Sequence, residues 1–181
     1  MTGTIGVIKL SRALTDDEFY YLAAFAMNKR MRRHRAMLNF MITDGTLEDP
    51  FRNEVRLPLG MDGCWFVGNR GATFDEWDAS VFNKEQPPRG MPGCWCSWMP
   101  QQDNRNNLVL SGKKEHHAIR WASILVTKLL APQWNINATG IITSTTAQQD
   151  GKIRTDIAII SGGSVITSHE KANVTPADQF K

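Results

Sequence analysis

The chain has little cysteine, little net charge and no long apolar run, and each shortage removes a class of function. Its 181 residues hold three cysteines, Cys64, Cys94 and Cys96. An odd count cannot pair completely, and a Cys-x-Cys in a strand points both thiols the same way without the geometry of a zinc knuckle. Reduced thiols in a core are the expectation. No apolar run approaches the roughly 20 residues needed to cross a bilayer, and the N-terminus lacks the charged-then-apolar pattern of a signal peptide. The expected protein is soluble and cytoplasmic, with no membrane partner. A formal charge of +3 is too small to demand nucleic acid by itself. His-x-x-x-His and Cys-x-x-Cys spacings are missing, so no metal and no cofactor is expected.

What the chain does have is a core's worth of apolar residues, 41% in all, with six tryptophans and eight phenylalanines. One domain over residues 1–181 is the default for this length. Thr4 to Leu10 reads as a strand with Ile5, Val7 and Leu10 turned inward. Thr15 with Glu18 three residues later forms a capping box, and Phe19, Leu22, Ala23, Ala26 and Met27 follow at helical spacing, which predicts a helix to about Arg35. From 37 to 90 the apolar pieces are short and broken by Asp-Gly, Asp-Pro and Gly signals, the mark of a loop-rich insertion whose best strand is Cys64 to Val67.

Between Asn83 and Trp98 stand three prolines, Pro87, Pro88 and Pro92, ahead of Cys94-Trp95-Cys96-Ser97-Trp98. Fixed φ angles and missing amides lead this segment into a strand over Cys94 to Trp98, with Cys94, Cys96 and Trp98 on one face. Leu108 to Leu110 is its hairpin partner. A second helix carries the stripe Ala118, Trp121, Ala122, Leu125, Leu129 until Pro132 stops it. Strands over Trp134 to Thr145, Lys152 to Ile160 and Ser164 to Thr167 follow, with a flexible tail over about 168–181. The order predicts an α+β fold: an antiparallel sheet with two helices on one face, in a split βαβ, ferredoxin-like order.

The Pro-Pro pair, Pro92-Gly93, Trp95-Cys96-Ser97-Trp98, the helix from Gly112 to Glu115 and Trp121, and Asn137 to Ile141 resemble a pattern in small phage-encoded accessory proteins. The Trp-Cys-x-Trp element is its specific part, with Met91 and Cys94 standing where those proteins carry Gln and Leu. The resemblance implies an accessory product at work in the cytoplasm of an infected bacterial host, and it brings no catalytic residue with it.

The candidate binding residues are Arg30, Arg32, Arg33, Arg35, Trp77, Arg89 and Trp95. Lys29 to Arg35 holds five formal positives in seven residues, a density that suits phosphate or an acidic partner and equally a helix C-terminus. Trp65, Trp77 and Trp95 are the tryptophans left for a ligand once Trp98, Trp121 and Trp134 are given to the core. Adjacent His116 and His117 diverge by about 100° on a helix and cannot chelate one ion together. Ser161 to Ser164 is a hairpin turn, and the carboxylates around Trp77 belong to a solvated loop.

Three functions fit. The first is a non-catalytic anti-defence protein that binds and inhibits a host bacterial defence protein or nucleoprotein through the insertion and the basic helix end. The second sequesters a nucleotide immune signal in a homo-oligomer's pockets. The third binds nucleic acid, or cleaves nucleotides with His116 or His117 and Glu115. Edge strands near 152–167 and Cys64 to Val67 are the surfaces where chains can pair.

Overall fold

Thr15 and Glu18 begin the first helix as their spacing predicts. In the computed structural model, which describes residues 3–68, 78–112, 117–150 and 152–172, helix α1 spans Asp16–Met27. The Glu18 amide donates to Thr15 Oγ1 at 3.3 Å, and the Thr15 amide donates back to Glu18 Oε2 at 2.9 Å. Arg12 adds two bonds of 2.7 Å to the same carboxylate. Burial works to raise the Glu18 pKa, but Arg12 and Thr15 outweigh it and hold the carboxyl below its usual range. Thr15→Ala should therefore cost about 1 kcal/mol, measured as a lowered urea midpoint with an unchanged slope.

The helix stops at Asn28, well short of Arg35. Asn28 is extended, with φ −96° and ψ 143°, and the chain beyond it has buried groups to place on different sides. Arg30 lays its guanidinium 4.2 Å from the Phe25 ring centre while its amide donates to the Cys94 carbonyl. Met31 and Arg33 are buried as well. An extended path serves alternate sides in this way, so strand β3 (Arg32–Arg33) precedes helix α2 (Arg35–Thr43). The expected basic helix end is a basic connection instead.

The insertion is more ordered than its composition suggests. It holds α2, helix α3 (Pro50–Glu54), a 3-10 turn at Met61–Gly63 and strand β4 (Val81–Asn83), which pairs with β3. Leu38, Met41, Leu47, Leu59 and Phe66 form a small core of its own. Cys64 to Val67 is no strand: all four residues are buried, where a half-buried strand would alternate.

The tryptophan segment reaches the sheet later than expected. Strand β5 is Trp98–Gln101 rather than Cys94 to Trp98, and it forms a hairpin with β6 (Asn104–Leu110). Ser111 occupies the preceding carbonyls, its amide on Ser97 and its hydroxyl on Cys96. Cys96 and Trp98 are buried and Cys94 is half-buried. Pro100 sits on β5, an outermost strand, where its missing amide costs no ladder bond.

The second helical segment runs as α4 (Ala118–Ile124), a π-helical stretch Leu125–Leu130 and α5 (Ala131–Trp134). Pro132 does not end it, because the wider π turns before it accommodate the backbone that a proline cannot bond. Its predicted stripe is buried throughout, joined by Val126, Leu130 and Trp134.

Strands β1 (Gly3–Gly6) and β2 (Ile8–Leu10) both pair with β7 (Ala138–Ala147), which continues through β8 (Ile153–Gly162) to β9 (Ser164–Ala172). The strand order is β5-β6-β2-β7-β8-β9, and every neighbouring pair is antiparallel. The fold is α+β, with α1 against β5 and the second helical segment across β5, β7 and β9. In the first strands Leu10 faces the helices as expected, but it is joined there by Thr4 and Ile8, while Ile5 and Val7 face away, one residue from expectation. Residues 168–172, expected to fray, belong to β9, whose edge position corrects the assignment of β8 to an edge. No helix among the described residues is long and apolar enough to cross a membrane.

Candidate functional site

The predicted binding residues do not converge. Arg30 and Arg33 are each only 3% exposed. Arg33 is consumed by Asp78 and Ser80, both of which its Nη1 reaches, while its guanidinium covers Phe66 at 4.7 Å. Arg32 and Arg89 share Asp62. Arg89 donates from Nε and Nη2 at 3.0 Å, and Arg32 approaches within 3.8 Å. Those bonds from Arg89 hold the Asp62 carboxyl below its usual range. Arg35 is exposed and Trp95 half-buried. Trp77 lies outside the described residues, as do Glu115 and His116. Trp65 is a core residue, its ring 5.7 Å from Phe25. Burial pushes the Cys96 thiol up to about 12 and raises Cys64, so both are inert rather than nucleophilic.

A different place collects polar chemistry. Beyond the apolar centre of the sheet's inner face, where Ile142 and Ala158 are fully buried, the long strands β7 to β9 outrun the helices. Their inward positions turn polar there. Thr4 stands opposite Ser144, Ser144 opposite Asp156 and Asp156 opposite His169, one row across four strands. The Thr4 and Ser144 hydroxyls lie 3.0 Å apart. In the next row Thr146 is opposite Arg154, whose Nε donates to Asp156 Oδ1 at 2.8 Å. The start of α4 forms the facing wall with His117, Ala118, Ile119 and Arg120. Together these residues enclose a cleft of about 620 Å³.

His117 enters this cleft from an unusual backbone. Its φ of 71° and ψ of 20° are left-handed, a conformation uncommon for residues other than glycine, though histidine, asparagine and aspartate adopt it more often than most. Its carbonyl accepts from the Trp121 amide at 2.8 Å, so it opens the helix while its own backbone turns away. Strain of this kind persists where surrounding structure over-determines it, and it gathers at ligand sites.

Among the described lining residues the cleft carries two guanidiniums and one carboxylate. Arg120 and Arg154 supply guanidinium donors, the Thr and Ser hydroxyls supply neutral ones, and Asp156 offsets part of Arg154. The row order also limits what chemistry is available. Asp156 stands between Ser144 and His169, so the imidazole is not interposed between hydroxyl and carboxylate as a nucleophile-activating triad requires. Among the described residues no three His, Cys, Asp or Glu side chains are placed to hold a metal ion.

Of this site the sequence singles out His117, as a member of an adjacent histidine pair, His169, as a candidate further ligand to that pair, and Ala118, as part of the apolar stripe. Ser144, Asp156 and His169 are 12 and 13 residues apart and become neighbours only through strand register. On β9 the cleft-facing set is Val165, Thr167 and His169, and the other face, Ser164, Ile166, Ser168 and Glu170, mixes polar and apolar residues in the same way, so alternation does not single it out. No family model matches the chain, and neither a curated protein nor a solved structure is significantly similar to it.

Proposed function

We propose that the protein binds a phosphate-bearing small molecule of nucleotide size in the cleft between β7 to β9 and the start of α4, and that it sequesters this ligand without turning it over. The observation that carries the reading is the cross-strand row Thr4, Ser144, Asp156, His169, with Arg154 in the next row of the sheet and Arg120 and the left-handed His117 on the facing wall. Guanidiniums grip phosphate oxygens in pairs, hydroxyls add donors, and imidazole faces suit a planar base. The volume falls in the range of small-molecule sites. Asp156 can accept from a ribose hydroxyl or a base amine, which favours a nucleotide over inorganic phosphate.

The resemblance of Trp95-Cys96-Ser97-Trp98 and its flanks to phage accessory proteins supplies the biological setting: removal of a nucleotide immune signal in the cytoplasm of an infected bacterium. The strand order supports reading β5, β6, β2 and β7 as a split βαβ frame of ferredoxin-like order, to which the β8–β9 hairpin adds the cleft's outer wall. A host defence protein engaged through the basic segment is the weaker reading. Among the described candidates, burial of Arg30 and Arg33 and the sharing of Asp62 leave it Arg35, the half-buried Trp95 and the outer surface of Arg89.

Thermal shift against cyclic mononucleotides, cyclic dinucleotides, ADP-ribose-type nucleotides and orthophosphate tests the reading. A bound nucleotide at 100 times its dissociation constant should stabilise by about 2.7 kcal/mol. Arg120→Gln with Arg154→Gln should weaken binding at least about tenfold, the loss of one charge-assisted contact. Mass analysis should recover the ligand intact. A recovered cleavage product that disappears in His117→Ala and His169→Ala would convert the reading to an enzyme. No shift with any nucleotide would end it.

A further inference from the structure

The sheet face turned away from the helices carries an aliphatic row that register sets side by side. Ile141 stands opposite Ile159 and Ile159 opposite Ile166. Val7, bracketed by the pairs Gly6 with Ile142 and Lys9 with Thr139, extends the row across β7. Ile5 lies one pair along. These five side chains are 38% to 72% exposed, and Ile5, Ile141 and Ile166 each exceed 60%. Isolated exposed aliphatics are ordinary, but a contiguous row across four strand positions is not.

We propose that this face is the contact surface of a homodimer, packed sheet on sheet. The area fits. The five side chains expose on the order of 500 Å² of apolar surface, against about 800 Å² that each partner buries in an interface of standard size, and the adjoining Thr and Ser rows supply the remainder. The shape fits a second sheet, since a twisted pleated face with β-branched side chains interdigitates with another such face at about 10 Å separation. The arrangement fits this chain in particular. The row runs straight across the strands, so a two-fold axis along it lays the row of one copy on the row of the other.

The flanking rows are compatible with the same operation. Beside the row on one side lie Lys9, Thr139, Ser161 and Ser164, and on the other Ile5, Thr143, Ile157 and Ser168, with Thr145, Thr155 and Glu170 one row further out. A two-fold axis along the row lays the Lys9 row of one copy on the Ile5 row of the other, where the lysine methylenes can cover the isoleucine and no like charges are brought together. The dimer leaves both nucleotide clefts open, because they lie on the opposite face of each sheet. It does not depend on the clefts binding anything.

Sedimentation equilibrium of the full chain over a wide concentration range decides the matter. At tens of micromolar the mass should be twice the 20.4 kDa of one chain. Ile141→Thr with Ile159→Thr should raise the dissociation constant at least 100-fold while circular dichroism and the melting temperature at low concentration stay unchanged. Ile159→Lys should give a monomer outright. A wild-type chain that is monomeric throughout overturns the proposal, and a chain lacking residues 173–181 then shows whether its own C-terminus covers the face. A dimer that survives both variants overturns it equally, since its contact would lie elsewhere.

Discussion

Arg33→Met should lower the unfolding free energy by about 3–5 kcal/mol, whereas Arg30→Met, three residues away and equally buried, should leave it unchanged or raise it. The difference lies in what each guanidinium leaves behind. Arg33 pairs with Asp78, whose side chain is itself 8% exposed, and also reaches Ser80. Methionine keeps much of the packing on Phe66 but strands the carboxylate in a site built around a cation. Among the described residues Arg30 has no such carboxylate partner. Its Nε and Nη1 make no hydrogen bond, and burial lowers its pKa. What it contributes is stacking on Phe25, which the methionine thioether retains against an aromatic ring. Urea unfolding of the two variants provides the comparison. Equal losses would mean that Arg30 is held by a charge partner after all.

That contrast shows why the basic run was legible as composition and misleading as a site. Charge density along a sequence says nothing about direction, and five cations in seven residues were dispersed once the helix ended at Asn28. The capping box was readable because Thr15 and Glu18 are local, their reciprocal bonds spanning three residues. The stripe Ala118, Trp121, Ala122, Leu125, Leu129 was readable for the same reason, although its continuation through Pro132 required a π-helical stretch that no propensity signals. Strand register was the hard part. Thr4 to Leu10 contains apolar residues on both faces, so alternation alone did not choose between Ile5 and Ile8, and pairing with β6 and β7 made the choice. The cleft inherits that difficulty. Its residues come from four strands and one helix start, and nothing in their spacing foretells that Ser144, Asp156 and His169 share a row.

Trp98→Ala should cost about 3–5 kcal/mol and abolish ligand binding in the cleft even in the fraction that remains folded. Trp98 is 1% exposed and joins two parts of the molecule that the binding reading needs together. It anchors the start of β5, paired with Leu110, and its indole Nε1 donates to the Ala118 carbonyl at 2.8 Å. Ala118 is the first residue of α4, and His117, with its left-handed backbone, immediately precedes it. The indole therefore fixes where the helix begins and, through that, where His117 and Arg120 face the strands. Trp98→Phe separates the two contributions. It keeps most of the apolar volume and removes the donor, while the Ala118 carbonyl keeps its helical bond from the Ala122 amide, so the cost is that of one buried hydrogen bond, about 0.5–1.5 kcal/mol. The expected result is a folded variant, by near-ultraviolet circular dichroism, whose nucleotide-induced thermal shift is reduced while its dimer is intact. The face bearing Ile141 and Ile159 is on the far side of the sheet and does not register the change. A phenylalanine variant with full nucleotide stabilisation would show that the helix start holds His117 and Arg120 in place without the indole.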